Sequence, residues 1–373
     1  MSKNKEYIVF QENQAVKGYV RSIIYDLGRN LHYFIPNDLV DTLNYINERT
    51  FPFESELKYL DQEEYINFLL EHEIICEVEP EEKKMFPQLA ISWNSPNLID
   101  ILSIEISNIA ELCDKIPLLI KITEEFGCKS LQLIFLEELD YNILEFILNS
   151  TQTSRLFAIE IIAKYNTPKE QNYYTSLWAK FPRLDNIIFY DAPQKEMYET
   201  FGINKNVVLV QEKLNYSSFV SMDYFKINMA FFLESIEHNS YFNRRLFIDR
   251  NNQIKNSQNS TKTFGTFNDK TEVLEAIINS NEFQNLWFST KEITDICKSC
   301  EFRNMCFDNR TPKKRLDNTW YHNTECNYNP YIAKWAGEEG YKTLSECGII
   351  SNEDGFSIDE EKIAKINAEL WGD

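Results

Sequence analysis

Apolar runs and amphipathic segments alternate through the middle of the chain. Between residues 109 and 126 apolar side chains recur at helical spacing, and Gly127 follows as a helix stop. The short apolar runs predict five strands, at residues 102–106, 131–136, 157–162, 186–190 and 207–210. Strands that alternate with helices favour parallel pairing, so we predict an α/β fold with an open or closed barrel.

A smaller mixed pattern precedes this region. Residues 22–25 and 31–35 are apolar runs on either side of a turn, which predicts a hairpin. A helix is predicted after Pro36. A second is predicted from Asp61, which has Glu64 three places on in a capping-box pattern. With a final strand, this order is that of a winged-helix module.

The charge of this first module decides between two kinds of partner. Residues 1–80 contain 7 Lys and Arg against 15 Asp and Glu, a difference of 7 − 15 = −8. A module that binds DNA needs a basic face to neutralise phosphates. The sequence therefore favours a peptide partner for residues 1–80.

A change of pattern near residue 245 predicts a third module. Residues 246–249 and 253–255 flank a turn at residues 250–252, which predicts a hairpin; a polar loop follows, and a helix is predicted near 272–278. Together with an acidic linker before residue 86, this gives three predicted domains, at residues 1–80, 86–240 and 241–373.

Composition narrows the class of protein. The chain has 373 residues, 38 Lys and Arg, 58 Asp and Glu, and a formal charge of −20. Such an acidic chain repels a phosphate backbone, so we expect no nucleic-acid partner. No apolar run approaches the roughly 20 residues that cross a bilayer, and we expect a cytoplasmic protein with no membrane partner. In a reducing compartment its 8 cysteines indicate metal or redox chemistry rather than disulfides.

Four of these cysteines are clustered near the C-terminus. Cys297, Cys300, Cys306 and Cys326 have the spacing C-x2-C-x5-C-x19-C, which supplies four thiolates to a metal ion or an iron–sulfur cluster. Zinc sites more often pair two C-x2-C hooks, so the spacing favours a cluster and leaves zinc as the alternative. His322 could substitute for one ligand, but a surface or packing role fits a lone histidine better. The remaining cysteines are scattered singly and are expected in the core: Cys76, Cys113, Cys128 and Cys347.

This spacing resembles the C-terminal extension of SPASM-domain radical SAM peptide maturases. That extension carries C-x9–15-G-x4-C, then C-x2-C-x5-C-x3-C, then a final cysteine. The resemblance places the four clustered cysteines on the positions that bind the second auxiliary [4Fe-4S] cluster, and Gly265 and the hairpin before it also match. The first auxiliary cluster is not implied, because Lys270 and Arg310 stand where two of its cysteines would fall.

The catalytic part of that family's pattern is missing. Radical SAM enzymes hold their catalytic cluster with C-x3-C-x2-C at the first barrel strand, where residues 89–97 read LAISWNSPN. Their glycine-rich SAM contact is replaced at residues 136–140 by LEELD, whose bulky side chains prevent the close backbone approach that glycine allows. We therefore expect no SAM and no conventional radical SAM chemistry.

The chain thus resembles the SPASM-domain maturases of grasp-with-spasm systems, which lack the same motif and act with an ATP-grasp ligase and a precursor peptide. The resemblance implies a maturation factor for a ribosomally made, post-translationally modified peptide. It also implies a winged-helix-like peptide-recognition module, a degenerate radical-SAM-type partial (β/α) barrel and a SPASM module with one [4Fe-4S] cluster. The factor would bind the precursor and present it to the ligase.

Two other functions stay open. One is a peptide-modifying enzyme that uses the cluster, or the carboxylates Glu137 and Glu138, which follow a strand at the rim where barrel sites gather. The other is a zinc-stapled interaction module. We also expect loss of Cys300 to weaken mainly the C-terminal module and to leave peptide binding by residues 1–80 intact.

Overall fold

The computed structural model describes residues 6–48, 62–86, 90–199, 205–214, 222, 225–267 and 270–372. The described residues form two compact units. The first takes those of Met1–Asn94, Phe219–Ser240 and Phe288–Asp373, and the second those of Ser95–Ser218 and Tyr241–Trp287. Each unit is assembled from segments far apart in sequence.

The N-terminal part of the first unit is mixed α/β. Its elements are β1 (Glu6–Val9), β2 (Asn13–Lys17), β3 (Ser22–Asp26), β4 (Leu31–Ile35), α1 (Asn37–Glu48), α2 (Gln62–Glu71) and β5 (Ile75–Val78). Strand β1 pairs with β5, and β2, β3 and β4 form an antiparallel sheet in that order. The predicted hairpin and first helix are confirmed, whereas the predicted start of the second helix at Asp61 lies outside the described residues.

The central strand β3 is buried on both faces. On one face Ile24 joins an apolar cluster with Leu39 of α1 and Leu69 of α2. On the other face Ile23 and Tyr25 join a second cluster that includes residues from 302 to 335. The N-terminal sheet is therefore a shared layer between its own helices and the cysteine-bearing segment.

An eight-stranded, mostly parallel sheet forms the second unit, which confirms the predicted α/β class. Its strands are β6 (Ile101–Ile106), β7 (Ser130–Glu138), β8 (Ala158–Lys164), β9 (Leu184–Tyr190), β10 (Glu196–Glu199), β11 (Asn206–Leu209), β12 (Arg245–Ile248) and β13 (Ile254–Lys255). The strand order is β10-β11-β9-β8-β7-β6-β12-β13, and the two edge strands are antiparallel to their neighbours. The five strands predicted from the apolar runs are β6, β7, β8, β9 and β11.

Helices cover one face of this sheet. They are α3 (Ile109–Phe126), α4 (Tyr141–Ser150), α5 (Gln171–Lys180), α7 (Thr271–Ile278) and α8 (Asn281–Gln284), whereas α6 (Met229–Glu237) belongs to the first unit. Alternate strand residues such as Leu102, Leu133 and Ile161 pack with helix residues such as Ile122 and Leu144 in one apolar cluster. Burial of this layer is the main favourable contribution to the stability of the unit.

The hairpin predicted at the start of the third module, β12 and β13, lies in the second unit. Its first strand, β12, pairs in parallel with β6, with Arg245 opposite Ile101. The hairpin therefore extends the sheet of the second unit. Apolar content predicts a strand correctly here, but the partner of that strand lies more than a hundred residues away in sequence and is chosen by packing.

Short strands and loops make up the rest of the first unit. They are β14 (Lys313–Lys314), β15 (Trp320–Tyr321), β16 (Tyr328–Asn329), β17 (Lys334–Trp335), β18 (Ile349–Asn352) and β19 (Gly355–Ile358), followed by α9 (Glu360–Trp371). They pair only as two-stranded ribbons, which are marginal by themselves. This segment needs its apolar clusters, and the site described below, to hold one conformation.

The longest described helix, α3, has 18 residues. Lys121 and Glu125 form an ion pair of 3.6 Å on its exposed side. Across the described ranges, no helix combines the length and the apolar content that crossing a bilayer requires.

We expect Gly127→Ala to destabilise the second unit by about 2 to 4 kcal/mol. Gly127 has φ +78°, and a Cβ there would lie 2.5 Å from Oδ1 of Asn97. Gly337→Ala is the matched control, because its φ of +94° is also left-handed but no atom lies within 4 Å. It should cost about 1 to 2 kcal/mol. Urea unfolding of both variants tests this, and equal losses would contradict it.

Candidate metal centre

Four cysteine side chains surround one small cavity in the first unit. Cys297, Cys300, Cys306 and Cys326 all line it, and its volume is about 30 Å³. Cys297 and Cys306 are each 8% exposed, and the other two are half-buried. The fold therefore brings the four predicted ligands together, with the fourth supplied by a separate loop.

A tight turn positions the C-x2-C pair. Ile296 has φ +66°, a conformation that is strained for a β-branched residue, and a 3₁₀ turn over Cys297–Ser299 follows it. The amide N–H of Cys300 donates to the carbonyl oxygen of Cys297 at 2.9 Å. Strained backbone persists only where its surroundings require it, and here it lets both thiols reach the cavity.

Burial keeps these thiols protonated in the absence of a cation. It raises the pKa of Cys297 to about 11, and it also raises the pKa of Cys300, Cys306 and Cys326. Neighbouring cysteines add to this: Cys326 raises the pKa of Cys297, and Cys297 raises that of Cys300. Because metal ligands are thiolates, a bound metal would displace these protons and neutralise part of the thiolate charge that burial disfavours.

A second group of metal-ligand residues adjoins the cavity. Ligand atoms of Cys297, Asp308 and His322 lie within 4.8 Å of one another, and this group could hold a metal ion. The sequence expected His322 to be a surface or packing residue. Its side chain is 9% exposed, and its Nδ1 has no hydrogen-bond partner. Burial lowers its pKa to about 3, so its imidazole is neutral.

Asp308 is the least available member of this group. Its carboxylate accepts hydrogen bonds from Nε of Arg310 at 3.0 Å and from Nη2 of Arg310 at 2.7 Å. Nη1 of Arg310 donates to the carbonyl oxygen of Thr324 at 2.8 Å. The buried pair Asp308–Arg310 therefore fixes a guanidinium beside the cysteines, which the spacing of cysteines in the sequence does not predict.

Aromatic side chains form the outer wall of the cavity. Phe225, Phe302, Tyr328 and Trp335 all line it. Their ring centroids are close, at 4.9 Å for Phe302 and Tyr328 and 4.8 Å for Tyr328 and Trp335. Such a wall excludes water, which strengthens charge interactions inside and would influence the potential of a redox centre.

The residue after Cys300 ties the cysteine loop to the N-terminal sheet. Glu301 is 1% exposed, and its carboxylate accepts from Nε of Arg21 at 2.8 Å and from the Tyr328 hydroxyl at 2.5 Å. The Tyr25 hydroxyl donates to the Glu301 carbonyl oxygen. The cysteine loop and strand β3 are thus joined by buried polar contacts as well as by apolar packing.

The four scattered cysteines do not line the cavity. Cys128 and Cys347 are buried in the core, as the sequence predicts, whereas Cys76 and Cys113 are only half-buried. The Cys347 thiol accepts a hydrogen bond from Nδ2 of Asn329 at 3.4 Å. Each behaves as a small packing residue.

The rim of the parallel sheet in the second unit carries an open cleft of about 520 Å³. It is lined by Glu138, Tyr141, Lys169 and Tyr173 among others. Asp140, also in the lining, caps α4 by accepting from the amides of residues 142 and 143. Of the two rim carboxylates singled out in the sequence, Glu138 therefore faces a cleft that could admit a ligand.

Comparison with known proteins adds little to this geometry. No protein-family model and no curated protein matches the chain. The crystal structure of SuiB from Streptococcus suis matches 80% of this chain and 94% of that chain, at 10% identity and a TM-score of 0.25. At that score the likeness carries no argument, so the site is interpreted from its own residues.

We expect Cys300→Ser to abolish metal retention after anaerobic purification, because one of four ligands facing the cavity is lost. Cys347→Ser is the control: its thiol is also buried, but it packs against Asn329. Elemental analysis for iron and zinc together with sulfide determination gives the result. Full metal content in Cys300→Ser would contradict the ligand assignment.

Glu301→Ala should destabilise the first unit by about 3 kcal/mol, because it leaves the Arg21 guanidinium and the Tyr328 hydroxyl without their buried partner. Glu292→Ala is the control. Its carboxylate also pairs with an arginine, Arg303, but is 44% exposed, so removal should cost about 1 kcal/mol or less. Urea unfolding and hydrogen exchange in β2 to β4 are the measurements, and equal effects of the two variants would refute the expectation.

Proposed function

We propose that this protein binds a precursor peptide of a ribosomally made, post-translationally modified product and presents it to an ATP-grasp ligase. In this proposal Cys297, Cys300, Cys306 and Cys326 hold one [4Fe-4S] cluster. The observation that carries the proposal is the pairing, in one unit, of a four-cysteine cavity with a sheet that has an open edge strand.

The open edge supports a peptide-binding role. Strand β4 pairs with β3 on one side, and no other described strand pairs with it. Its side chains Leu31 and Phe34 are 47% and 41% exposed. An edge that offers free backbone groups beside exposed apolar side chains can accept an extended peptide as an added strand. The hairpin with its two helices supports a winged-helix-like recognition module.

The spread of the sulfurs supports a cluster over a single zinc ion. Zinc, with Zn–S bonds of about 2.3 Å, draws its ligands to within about 4 Å of one another. Among the described residues, the group of three whose ligand atoms approach within 4.8 Å consists of Cys297, Asp308 and His322, not of three cysteines. The four thiols instead line the wall of one cavity.

A bound cluster supplies metal–thiolate bonds and a capacity for electron transfer. As a ligand, Cys326 would cross-link its loop to the turn of Cys297 and Cys300, and the aromatic wall excludes water. Cross-linking matters here because two-stranded ribbons and loops bury little by themselves. The cluster would therefore act first as a structural staple for the unit that carries β4.

The residues of the second unit favour presentation of the precursor peptide to the ligase over radical SAM chemistry. Its open parallel sheet is compatible with a partial barrel, but residues 89–97 contain no cysteine and residues 136–140 contain no glycine. Without three thiolates at the first strand, the chain has no ligand set for a catalytic cluster there.

One observation favours a second candidate function. The cleft lined by Glu138 and Lys169 is large enough to hold a side chain of a bound peptide, and both a carboxylate and an amine are present for proton transfer. A peptide-modifying enzyme would use this rim, whereas a presenter would not.

Intact-mass analysis distinguishes the two functions. The full chain is purified anaerobically and incubated with a synthetic candidate precursor, first alone and then with the candidate ATP-grasp ligase and ATP. A presenter leaves the precursor mass unchanged when alone and increases the rate of the ligase. A mass change without the ligase would support the enzyme, and absence of binding to any candidate would refute the proposal.

We expect Leu31→Lys to weaken binding of the candidate precursor about tenfold or more, because a charge at the apolar edge must be desolvated when a strand is added. Ile350→Lys is the control: it is 56% exposed on β18, in a separate ribbon of the same unit. Fluorescence anisotropy with a labelled precursor measures both. Equal affinities of the two variants would exclude β4 as the binding edge.

A further inference from the structure

Two buried basic residues face the cysteine cavity without being ligands. Lys291 and Arg310 are each 7% exposed, and both line the cavity together with the four cysteines. The Arg310 guanidinium is held in place by Asp308 and by the carbonyl oxygen of Thr324. A lysine and an arginine are rarely buried this deeply unless a negative charge accompanies them.

The partners within the chain account for only part of this positive charge. Asp308 is the one carboxylate among the residues that line the cavity, whereas Lys291, Arg303 and Arg310 are basic. Asp308 pairs with Arg310, and Arg303 pairs with Glu292, which does not line the cavity. The cavity wall therefore has a surplus positive charge next to four thiols.

Both basic residues lie beside the cysteines. Lys291 and Arg310 line one cavity with all four cysteines, and Arg310 also lines the adjoining cavity with Cys297 and Cys326. Positive charge is thus placed next to the sulfurs.

We propose that Lys291 and Arg310 are the counter-charges of the metal centre, and that Asp308 positions the Arg310 guanidinium against Cys297 and Cys326. The inference rests on the proposed cluster. Four thiolates around a [4Fe-4S] core carry a net negative charge, and its burial is unfavourable without nearby cations. Each electron added increases that charge, so fixed cations favour the reduced state and raise the reduction potential.

The test uses substitutions with opposite expected signs in the full-length protein. Arg310→Gln and Lys291→Gln each remove a positive charge and should lower the midpoint potential of the cluster. Asp308→Asn removes a negative charge beside Arg310 and should raise it. Arg250→Gln is the control for the same chemical change, since Arg250 pairs with Glu105 in the second unit. A redox titration followed by electron paramagnetic resonance measures all four without any precursor or ligase.

Opposite shifts for Arg310→Gln and Asp308→Asn, with no shift for Arg250→Gln, support the inference. Shifts in the same direction would indicate a disturbed structure and overturn it, and so would unchanged potentials. If the purified protein contains zinc and no iron, the proposed cluster fails, and chelator competition then tests the counter-charges separately. Arg310→Gln should weaken zinc retention about tenfold and Asp308→Asn should not. Equal retention by the two variants overturns the inference.

Discussion

The first unit depends on the hydrogen bonds made by one buried residue, Glu301. It follows Cys300 directly and accepts hydrogen bonds from Arg21 and Tyr328, while its backbone carbonyl accepts from Tyr25. Arg21 and Tyr25 belong to the N-terminal segment and Tyr328 to the loop after Cys326, so two distant parts of the chain meet at Glu301. A carboxylate at 1% exposure is tolerated only when it is paired, and loss of any partner leaves an uncompensated charge or polar group. The N-terminal sheet and the cysteine loop must therefore form together.

This coupling concerns the independence of two modules that the sequence predicts. The prediction is that loss of Cys300 weakens the C-terminal module and spares peptide binding by residues 1–80. The backbone N–H of Tyr19 donates to the Ser299 carbonyl oxygen at 2.9 Å, and a Cβ at Gly18 would lie 3.0 Å from Cβ of Glu301. The cysteine loop thus contacts the β2–β3 turn directly, and the independence of the two modules stays a prediction.

The second unit is stabilised in a different way. Its sheet is held by apolar side chains that face the helices, and the polar residues of its rim take little part in that core. A parallel sheet packed in this manner keeps its shape whatever residues stand at the ends of its strands.

The sequence by itself determined the local elements and the ligand spacing. Apolar runs predicted β3, β4 and β6 to β9, since the alternation of apolar and polar residues records which side chains are buried. Strands β1, β2 and β10 and the two-stranded ribbons of β14 to β19 went unpredicted. Cysteine spacing selected the four residues that line the cavity, because the C-x2-C pair converges through a local turn. Tertiary structure alone decided that β12 extends the sheet of the second unit, that Glu301 joins the cysteine loop to β3, and that Lys291 and Arg310 face the thiols. These depend on residues far apart in sequence, and a buried charged residue looks like any surface charge until its partner is known.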